Sequence, residues 1–324
     1  MPSLRIQRVI AAAVVLTQGG IAVTGAIVRV TASGLGCPTW PQCFPGSFTP
    51  VPVAEVPVIH QAVEFGNRML TFLVVLTAVA AVLAVTRARR RREVRFYAWL
   101  MPASTVVQAV IGGITVLTGL LWWTVAIHLI ASMAMVWLAV LLFVKVGEAD
   151  GAAKVGEADG ADKVGEADND DTVVTTLLVP GQLRRLTALS GVALAGVLVS
   201  GTLVTGAGPH AGDKSIDQPV PRLQVEITTL AHLHSSLLVA YLSLLVALGF
   251  ALRAVHAPRP VMIRLAVLVG LVCAQALVGV VQFATGVPAA LVAIHVAGAA
   301  ACTAATSALW ASMRERTKAE ALQR

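Results

Sequence analysis

Eight stretches of mostly apolar residues, each long enough to cross a lipid bilayer, determine what this chain can fold into. A membrane-spanning helix needs roughly 20 such residues. Hydrophobic residues make up 57% of the 324 residues and charged residues only 13%, against roughly 25% charged in ordinary soluble domains. We therefore predict an all-α integral membrane protein and exclude a soluble enzyme or a disordered chain. The predicted spans are 9–28, 59–86, 96–117, 124–144, 186–206, 227–252, 264–284 and 290–312.

The distribution of Lys and Arg predicts how these spans are oriented. With the N-terminus inside, 20 of the 24 Lys and Arg residues fall on the inner side, and only Arg29, Arg68, Lys214 and Arg222 fall outside. Positive residues are retained on the cytoplasmic side of membranes. We therefore expect a multi-pass protein of the plasma membrane with both termini in the cytoplasm. The basic run at 87–95 then faces anionic lipid, and no nucleic-acid partner is expected.

A short repetitive segment divides the spans into two groups of four. Residues 145–171 repeat KVGEAD at a nine-residue period, are rich in Gly, Ala and Asp, and contain no aromatic residue. Such a composition is typical of a flexible linker. We predict an N-terminal four-helix bundle (1–144), a cytoplasmic acidic linker (145–185), a C-terminal four-helix bundle (186–312) and a cytoplasmic tail (313–324).

The two groups of spans are related in sequence. QAVIGGITVLTGLLWWTVAIH (108–128) aligns without gaps to QALVGVVQFATGVPAALVAIH (275–295), with 9 of 21 positions identical. The same offset of 167 places Asn67 opposite His234, and VTGAIV in the first span resembles VSGTLV in the fifth. Because repeats of this kind arise by duplication, we predict two pseudo-symmetric bundles of the same topology.

Histidines inside the spans indicate a metal site. His128 and His295 occupy the same place in the last helix of each copy, and His234 lies in the second helix of the second copy. An imidazole in an apolar span is costly without a partner. His234 and His295 are expected at similar depth, where they can ligate one heme iron from opposite faces. The alternative is that each histidine donates a hydrogen bond to a helix carbonyl.

The first copy differs at the matching place and suggests chemistry. Glu64 is an ionisable group within a span, with His60 one turn before it on the same helix face. His128 is the expected axial nitrogen. Asn67 coordinates only weakly, so an iron here is either five-coordinate or bound by His60. One strong ligand beside an acid suits a reaction site, although Glu64 can instead form a salt bridge with Arg68.

The cysteines fall into two groups. Cys37 and Cys43 lie in the outer loop GLGCPTWPQCFPG. The predicted topology exposes this loop to an oxidising compartment, where a disulfide is expected. Its role is either that of a structural staple or that of a thiol pair in redox delivery. Cys273 and Cys302 lie singly within spans and are interpreted as small packing residues.

Four further polar residues lie near the outer surface. Arg29, Arg68 and Arg222 are candidates for pairing with heme propionates, because arginine binds carboxylates through two parallel hydrogen bonds. His210 in the loop between the fifth and sixth spans is interpreted as a surface residue, with contact to a heme edge as the alternative.

The motifs in all eight spans, taken in order, resemble those of the heme A synthase family. The matching segments are GAIVRVTASGLGCPTWPQC, VEFGNRML, TVAIHLIAS, GTLVTGAGPHAGD, LAHLHSSLL and TGVPAALVAIHVAGAA. The form with Asn67, where many members carry histidine, is similar to the actinobacterial type. Only the 145–171 linker and the tails fall outside the resemblance.

The resemblance implies an enzyme that oxidises the C8 methyl group of heme O, its substrate, to the formyl group of heme A for aa3-type cytochrome oxidase. It implies heme b between His234 and His295, and the substrate heme in the N-terminal bundle beside His128. The family's essential acid corresponds to Glu64, and its first-loop cysteine pair to Cys37 and Cys43. Expected partners are heme O synthase and the cytochrome oxidase assembly machinery in the lipid bilayer, and a homo-oligomer is left open.

Two other function classes fit parts of the pattern. A quinone-linked di-heme electron carrier would also place histidines within the spans. A carrier favours two saturated hemes, however, and Glu64 in place of a second strong ligand argues against one. A transporter built from parallel four-helix repeats would use the acid and the histidines as a proton path. Pigment extraction separates these classes, because only the synthase yields heme A.

Overall fold

The computed structural model describes residues 1–53, 55–155, 172–213 and 219–318. These residues form eight α-helices and three short β-strands. The helices are α1 (Leu4–Val30), α2 (Val58–Arg87), α3 (Arg92–Leu117), α4 (Trp122–Gly147), α5 (Gly181–Ala207), α6 (Ile227–Ala254), α7 (Arg259–Ala284) and α8 (Ala289–Ala311). The strands are β1 (Ala152–Val155), β2 (Thr172–Leu177) and β3 (Arg314–Lys318).

All eight helices of the described chain are long and apolar enough to cross a membrane. They contain 23 to 30 residues, which corresponds to about 35–45 Å at the usual helical rise. The hydrocarbon core of a bilayer is about 30 Å thick. The predicted all-α membrane protein with eight spans is therefore confirmed. Most helices extend a turn beyond the predicted spans; α1, for example, begins after Ser3, whose hydroxyl accepts the Ile6 N–H at 3.3 Å.

Each group of four helices packs in the same order. In the first group α1 contacts α2 and α4, and α3 contacts the same two helices. In the second group α5 contacts α6 and α8, and α7 contacts these two in turn. Contacts of α8 with α1 and α4, and of α4 with α5, join the two groups.

The turns between helices also repeat. The turn after α2 places Arg89 at φ 51°, and the turn after α6 places His256 at φ 53°. The turns after α3 and α7 place Gly119 at φ 66° and Gly286 at φ 77°. Both pairs are separated by the sequence offset of 167. The two copies thus share local backbone geometry, while the pseudo-symmetry of the complete bundles remains a prediction.

Apolar cores fill each helix group near the end at which α1 begins, here called the inner end; the opposite end is called the outer end. In the first group, Ala78, Ala98 and Leu142 are completely buried. In the second group, Leu245, Leu248 and the ring of Tyr241 are completely buried, and the Tyr241 hydroxyl lies 2.8 Å from Thr306 Oγ1. Because side chains close-pack at the inner end, the remaining space for ligands lies toward the outer ends of the helices.

Three strands lie in segments for which the sequence predicted no regular secondary structure. β1 and β2 lie within the predicted linker, 145–185, and β3 lies within the predicted tail, 313–324; no strand was expected in either. β2 pairs in parallel with β1 and antiparallel with β3. The sequence of β2, TVVTTL, is rich in β-branched residues, which favour strands. Residues 156–171, with most of the repeats, and 319–324 lie outside the described residues.

A buried arginine anchors the inner face. Arg90 is 8% exposed, and its guanidinium lies 2.7 Å from an Asp150 carboxylate oxygen. It also donates to the carbonyls of Val146 and Glu148, each at 2.9 Å. Burial lowers the pKa of Arg90, and the Asp150 carboxylate opposes that effect. The arginine thus ties the turn between α2 and α3 to the end of α4.

We predict that Arg90→Ala destabilises the protein by roughly 1–3 kcal/mol, because it leaves the carbonyls of Val146 and Glu148 without this donor. The thermal unfolding midpoint of the detergent-purified protein should fall by several degrees. Arg92→Ala is the matched control, since Arg92 is exposed at the start of α3. Equal midpoints for the two variants would contradict this role of Arg90.

Candidate functional site

The rings of His234 in α6 and His295 in α8 face each other. Their centroids are 6.3 Å apart, and their planes are inclined by 62°. Two imidazoles bound to one metal ion on opposite sides have centroids about 6 Å apart, because each metal–nitrogen bond is about 2 Å and each ring adds roughly 1 Å. The structure therefore brings the two predicted ligands together at a spacing that fits one metal ion.

Hydrogen bonds fix the direction of the His234 ring. Its Nδ1 lies 3.0 Å from the Val197 carbonyl oxygen and 3.0 Å from Ser200 Oγ. A carbonyl only accepts, so Nδ1 carries the proton and Nε2 keeps its lone pair for a metal. The carbonyl bond considered as an alternative is thus present at His234 and is compatible with ligation. Nδ1 of His295 is buried without a hydrogen-bond partner among the described residues.

A cavity of about 90 Å³ lies beside this pair and is lined by His234, His295, Tyr241 and apolar side chains that include Leu194 and Leu198. The donor pair fits an iron, whereas this volume holds only part of a porphyrin. Binding of a complete macrocycle would therefore require the lining of this cavity to move apart.

A larger cavity of about 500 Å³ lies in the first helix group and reaches α5 and α8. Its volume is in the range of small-molecule sites, about 300–1,000 Å³. Its polar lining includes the predicted residues Glu64, Asn67, Arg68 and His128, together with Arg29. The structure thus gathers most of the predicted N-terminal site around one space.

Asn67 occupies the place that His234 has in the second group. Thr24 donates from Oγ1 to Asn67 Oδ1 at 2.7 Å. In the second group the corresponding hydroxyl, that of Ser200, lies against His234. The two contacts join the same helix pair in each group, so the repeat preserves the contact while the potential ligand differs.

A glutamine holds the backbone of each last-helix histidine. Gln108 Nε2 donates to the His128 carbonyl at 3.4 Å and to Ser132 Oγ at 2.7 Å. Gln275 Nε2 donates to the His295 carbonyl at 2.6 Å. The sequence pattern predicted no role for these two glutamines, although both belong to the aligned repeat.

Glycines leave room for the histidine rings. A Cβ added at Gly279 would lie 3.1 Å from His295 Cε1, and one added at Gly201 would lie 3.0 Å from His234 Cε1. At the matching position of the first group, a Cβ at Gly112 would lie 3.4 Å from His128 Cε1. The imidazole rings therefore occupy the space that a side chain at each of these glycines would need.

Glu64 forms the salt bridge that the sequence offered as its alternative role. Arg68 Nε donates to Glu64 Oε1 at 3.1 Å, and the Glu64 side chain is 8% exposed. Glu64 also lines the large cavity. Both interpretations of this residue are thus combined, with one carboxylate oxygen held by Arg68 and the side chain bordering the cavity.

The other predicted polar residues divide by position. His60 is not part of the cavity lining, and its Nδ1 lies 2.9 Å from Ser33 Oγ. Arg29 lines the large cavity and has a buried Nε without a hydrogen-bond partner in the described chain. Arg222 does not line it and donates to the Ala207 carbonyl at 3.0 Å. His210 is tied to the loop before α8 by a 2.8 Å contact of Nε2 with the Val287 carbonyl oxygen.

The cysteines also differ in setting. Cys37 and Cys43 have their sulfur atoms at bonding distance and their Cα atoms 4.3 Å apart. Cys302 is buried in the core of the second group, whereas Cys273 is exposed on α7. The packing role predicted for the second pair thus suits Cys302 better than Cys273.

The two cavities share a wall formed by side chains of α4, α5 and α8. These residues are Leu129, Thr202, Thr205 and Val296.

In the part of the chain that the structure describes, no group of three or more His, Cys, Asp or Glu side chains could hold a metal ion. The fold and site define a multi-pass membrane protein with a facing histidine pair beside an acid-bearing cavity.

Comparison with known proteins gives the family. The model of the COX15-CtaA family, described as cytochrome oxidase assembly protein, matches residues 8–307. The chain therefore belongs to the COX15-CtaA family. The predicted membership of the heme A synthase family is confirmed, while the actinobacterial type remains a prediction.

Individual relatives match over shorter stretches. A segment of 98 residues is 34% identical to "Heme A synthase" of Geobacillus kaustophilus (strain HTA426), covering 30% of this chain and 29% of that protein. For the protein of the same name from Geobacillus thermodenitrificans, identity is 32% over 98 residues, with the same coverage. For that of Lysinibacillus sphaericus (strain C3-41), it is 29% over 104 residues, or 32% and 33% of the two chains. The aligned stretches thus span about a third or less of these relatives.

We predict that Gly279→Ala disturbs the site at His295, because the added methyl group would lie 3.1 Å from its ring. A coloured ligand held by this histidine pair should be lost or show a shifted absorption spectrum in the purified variant. Gly270→Ala in the same helix is the matched control, since a Cβ there meets nothing within 4 Å. Identical spectra of the two variants would argue against close packing at His295.

Proposed function

We propose that this protein is a heme A synthase, which oxidises the C8 methyl group of heme O to the formyl group of heme A for aa3-type cytochrome oxidase. The observation that carries the proposal is the facing pair His234 and His295, separated by one shared wall from a cavity that holds Glu64 and His128. Family membership and the names of the relatives support it.

The large cavity is the proposed substrate site. His128 provides the imidazole for the substrate iron, since its ring borders the cavity and its Nδ1 has no partner in the described chain. Arg29 is the proposed partner of a propionate, because its buried Nε lacks a partner and arginine binds carboxylates well. Asn67 lies at the corresponding position on α2, with its oxygen already bound by Thr24.

Glu64 is the proposed catalytic residue. Its carboxylate can position water, accept a proton from the reacting group and stabilise positive charge that develops at the methyl carbon. Arg68 holds one carboxylate oxygen, which limits the directions that the other can take. The oxidation is expected to proceed through an alcohol and a gem-diol, which loses water to give the aldehyde; an external oxidant accepts the four electrons removed from the methyl carbon.

The histidine pair is the proposed site of heme b. Two imidazole ligands leave four coordination positions of an iron open, which is the number that a porphyrin supplies. When bound there, heme b supplies one-electron transfer. His234 and His295 hold it, and the shared wall keeps its site next to the substrate cavity.

The proposal extends to the setting of the protein. We place it in the plasma membrane with both termini in the cytoplasm, two functional bundles (1–144 and 186–312), and heme O synthase and cytochrome oxidase assembly as partners. The basic residues at 87–95 and in the tail support this orientation. The Cys37–Cys43 loop then faces the oxidising side, where a disulfide persists.

A di-heme electron carrier is the second candidate, because the shared wall between two histidine-bearing cavities also suits electron transfer. Cells that supply heme O distinguish the two, since only a synthase produces heme A. A colourless purified protein would contradict both and would favour a transporter.

We predict that cells supplying heme O accumulate heme A when this protein is expressed, as measured by pigment extraction. Glu64→Gln should lower the conversion about 10²- to 10⁴-fold, the usual contribution of a positioned acid or base. Glu226→Gln is the control, because Glu226 lies at the exposed start of α6. Full conversion by Glu64→Gln would remove the role given to Glu64.

We predict that His234→Ala or His295→Ala abolishes heme b binding, because each variant removes one of two axial ligands. Absorption spectra of the purified variants measure this directly. His232→Ala in the same helix should retain the heme, since His232 is exposed. Retention of heme b in both ligand variants would refute the assignment.

A further inference from the structure

Arg68 connects two parts of the molecule that are distant in sequence. Besides Glu64, its guanidinium reaches three carbonyl oxygens of the Cys37–Cys43 loop. The acceptors are Cys37 at 2.9 Å, Thr39 at 3.1 Å and Gln42 at 3.2 Å. A guanidinium has five N–H donors in a fixed plane, and here four hydrogen bonds point to the loop and to the acid.

The same loop covers the large cavity. Trp40 and Pro41 contribute to the cavity lining. The Trp40 ring packs against α3 at Gly113, where an added Cβ would lie 2.6 Å from the ring. Cys37 and Cys43 are completely buried, against apolar side chains that include Phe65 of α2. The loop thus rests on α2 on one side and on α3 on the other.

We propose that Arg68 is a positioning residue, which clamps the Cys37–Cys43 loop over the cavity and fixes the direction of the Glu64 carboxylate. This rests on the function proposed above for Glu64. Arg68 itself has one N–H left for other partners, so its contacts favour this role over the binding of a propionate. The loop and the acid are held by one side chain, so release of the loop also frees the acid.

Two substitutions test this role, and each removes a different contact of the Cys37–Cys43 loop. Arg68→Lys keeps the charge but loses the planar set of donors. Gly113→Ala displaces Trp40 without touching Arg68 or Glu64. Arg87→Lys, at the exposed inner end of α2, and Gly66→Ala, whose Cβ would meet nothing within 4 Å, are the matched controls.

The first measurement follows the loop itself. In full-length protein with Cys273→Ser and Cys302→Ser, the Cys37–Cys43 disulfide is reduced with a water-soluble phosphine, which becomes the phosphine oxide. The two new thiols are counted by maleimide–polyethylene glycol labelling on gels. Arg68→Lys and Gly113→Ala should be reduced about tenfold faster than the parent, the effect of losing one or two ordinary hydrogen bonds or an equivalent contact. Both controls should match the parent.

The second measurement follows the acid. Arg68→Lys should lower kcat for heme O conversion about tenfold while heme b is retained, as expected when an oriented carboxylate becomes mobile. If the disulfide of Arg68→Lys is reduced at the same rate as that of the parent protein, the proposed clamp is overturned. Labelling of Cys37 and Cys43 in the parent before any reduction would also overturn it. Parent kcat in a variant with a released loop overturns the positioning of Glu64. Failure of the parent to make heme A would refute the proposed function, while the reduction rates would still test the clamp.

Discussion

A polar side chain enclosed by apolar helices needs a hydrogen-bond or ionic partner. In the outer half of this protein, such partners fix the directions of the buried polar side chains. Arg68 satisfies one oxygen of Glu64, and a carbonyl of α5 satisfies Nδ1 of His234. The groups left without partners in the described chain include Nδ1 of His128 and Nε of Arg29, both at the large cavity. The lining of the proposed substrate cavity therefore includes two side chains whose buried nitrogen atoms have no partner among the described residues.

Each helix group is closely packed at its inner end and contains a cavity toward its outer end. Leu142 and Leu248 are completely buried in the inner cores, which hold the helices at fixed spacing. The corresponding glutamines, Gln108 and Gln275, donate to the backbone carbonyls of the last-helix histidines, His128 and His295. Asn67 occupies in the first group the position that His234 occupies in the second. The second group therefore has the histidine pair His234 and His295, whereas the first has only His128 at the matching positions.

The two halves are also connected at the inner face, away from the candidate site. β3 follows α8 and pairs with β2, which precedes α5. Arg316 in β3 donates to the Ala149 carbonyl at 2.9 Å, just beyond α4. The tail of the second half thus reaches the end of the first, so the two groups are held by more than the chain that links them.

The sequence by itself determined the eight spans, the similarity of 108–128 to 275–295 and the candidate site residues. Helix formation in a bilayer is dictated by local apolar length, and the repeat is visible residue by residue. The sequence also aligned Asn67 with His234. Only the tertiary structure decided that the ring centroids of His234 and His295 lie 6.3 Å apart. It also decided that His60 contacts Ser33, and that Arg68 joins the Cys37–Cys43 loop to Glu64. These contacts depend on helix rotation and on long-range packing, which no local pattern encodes.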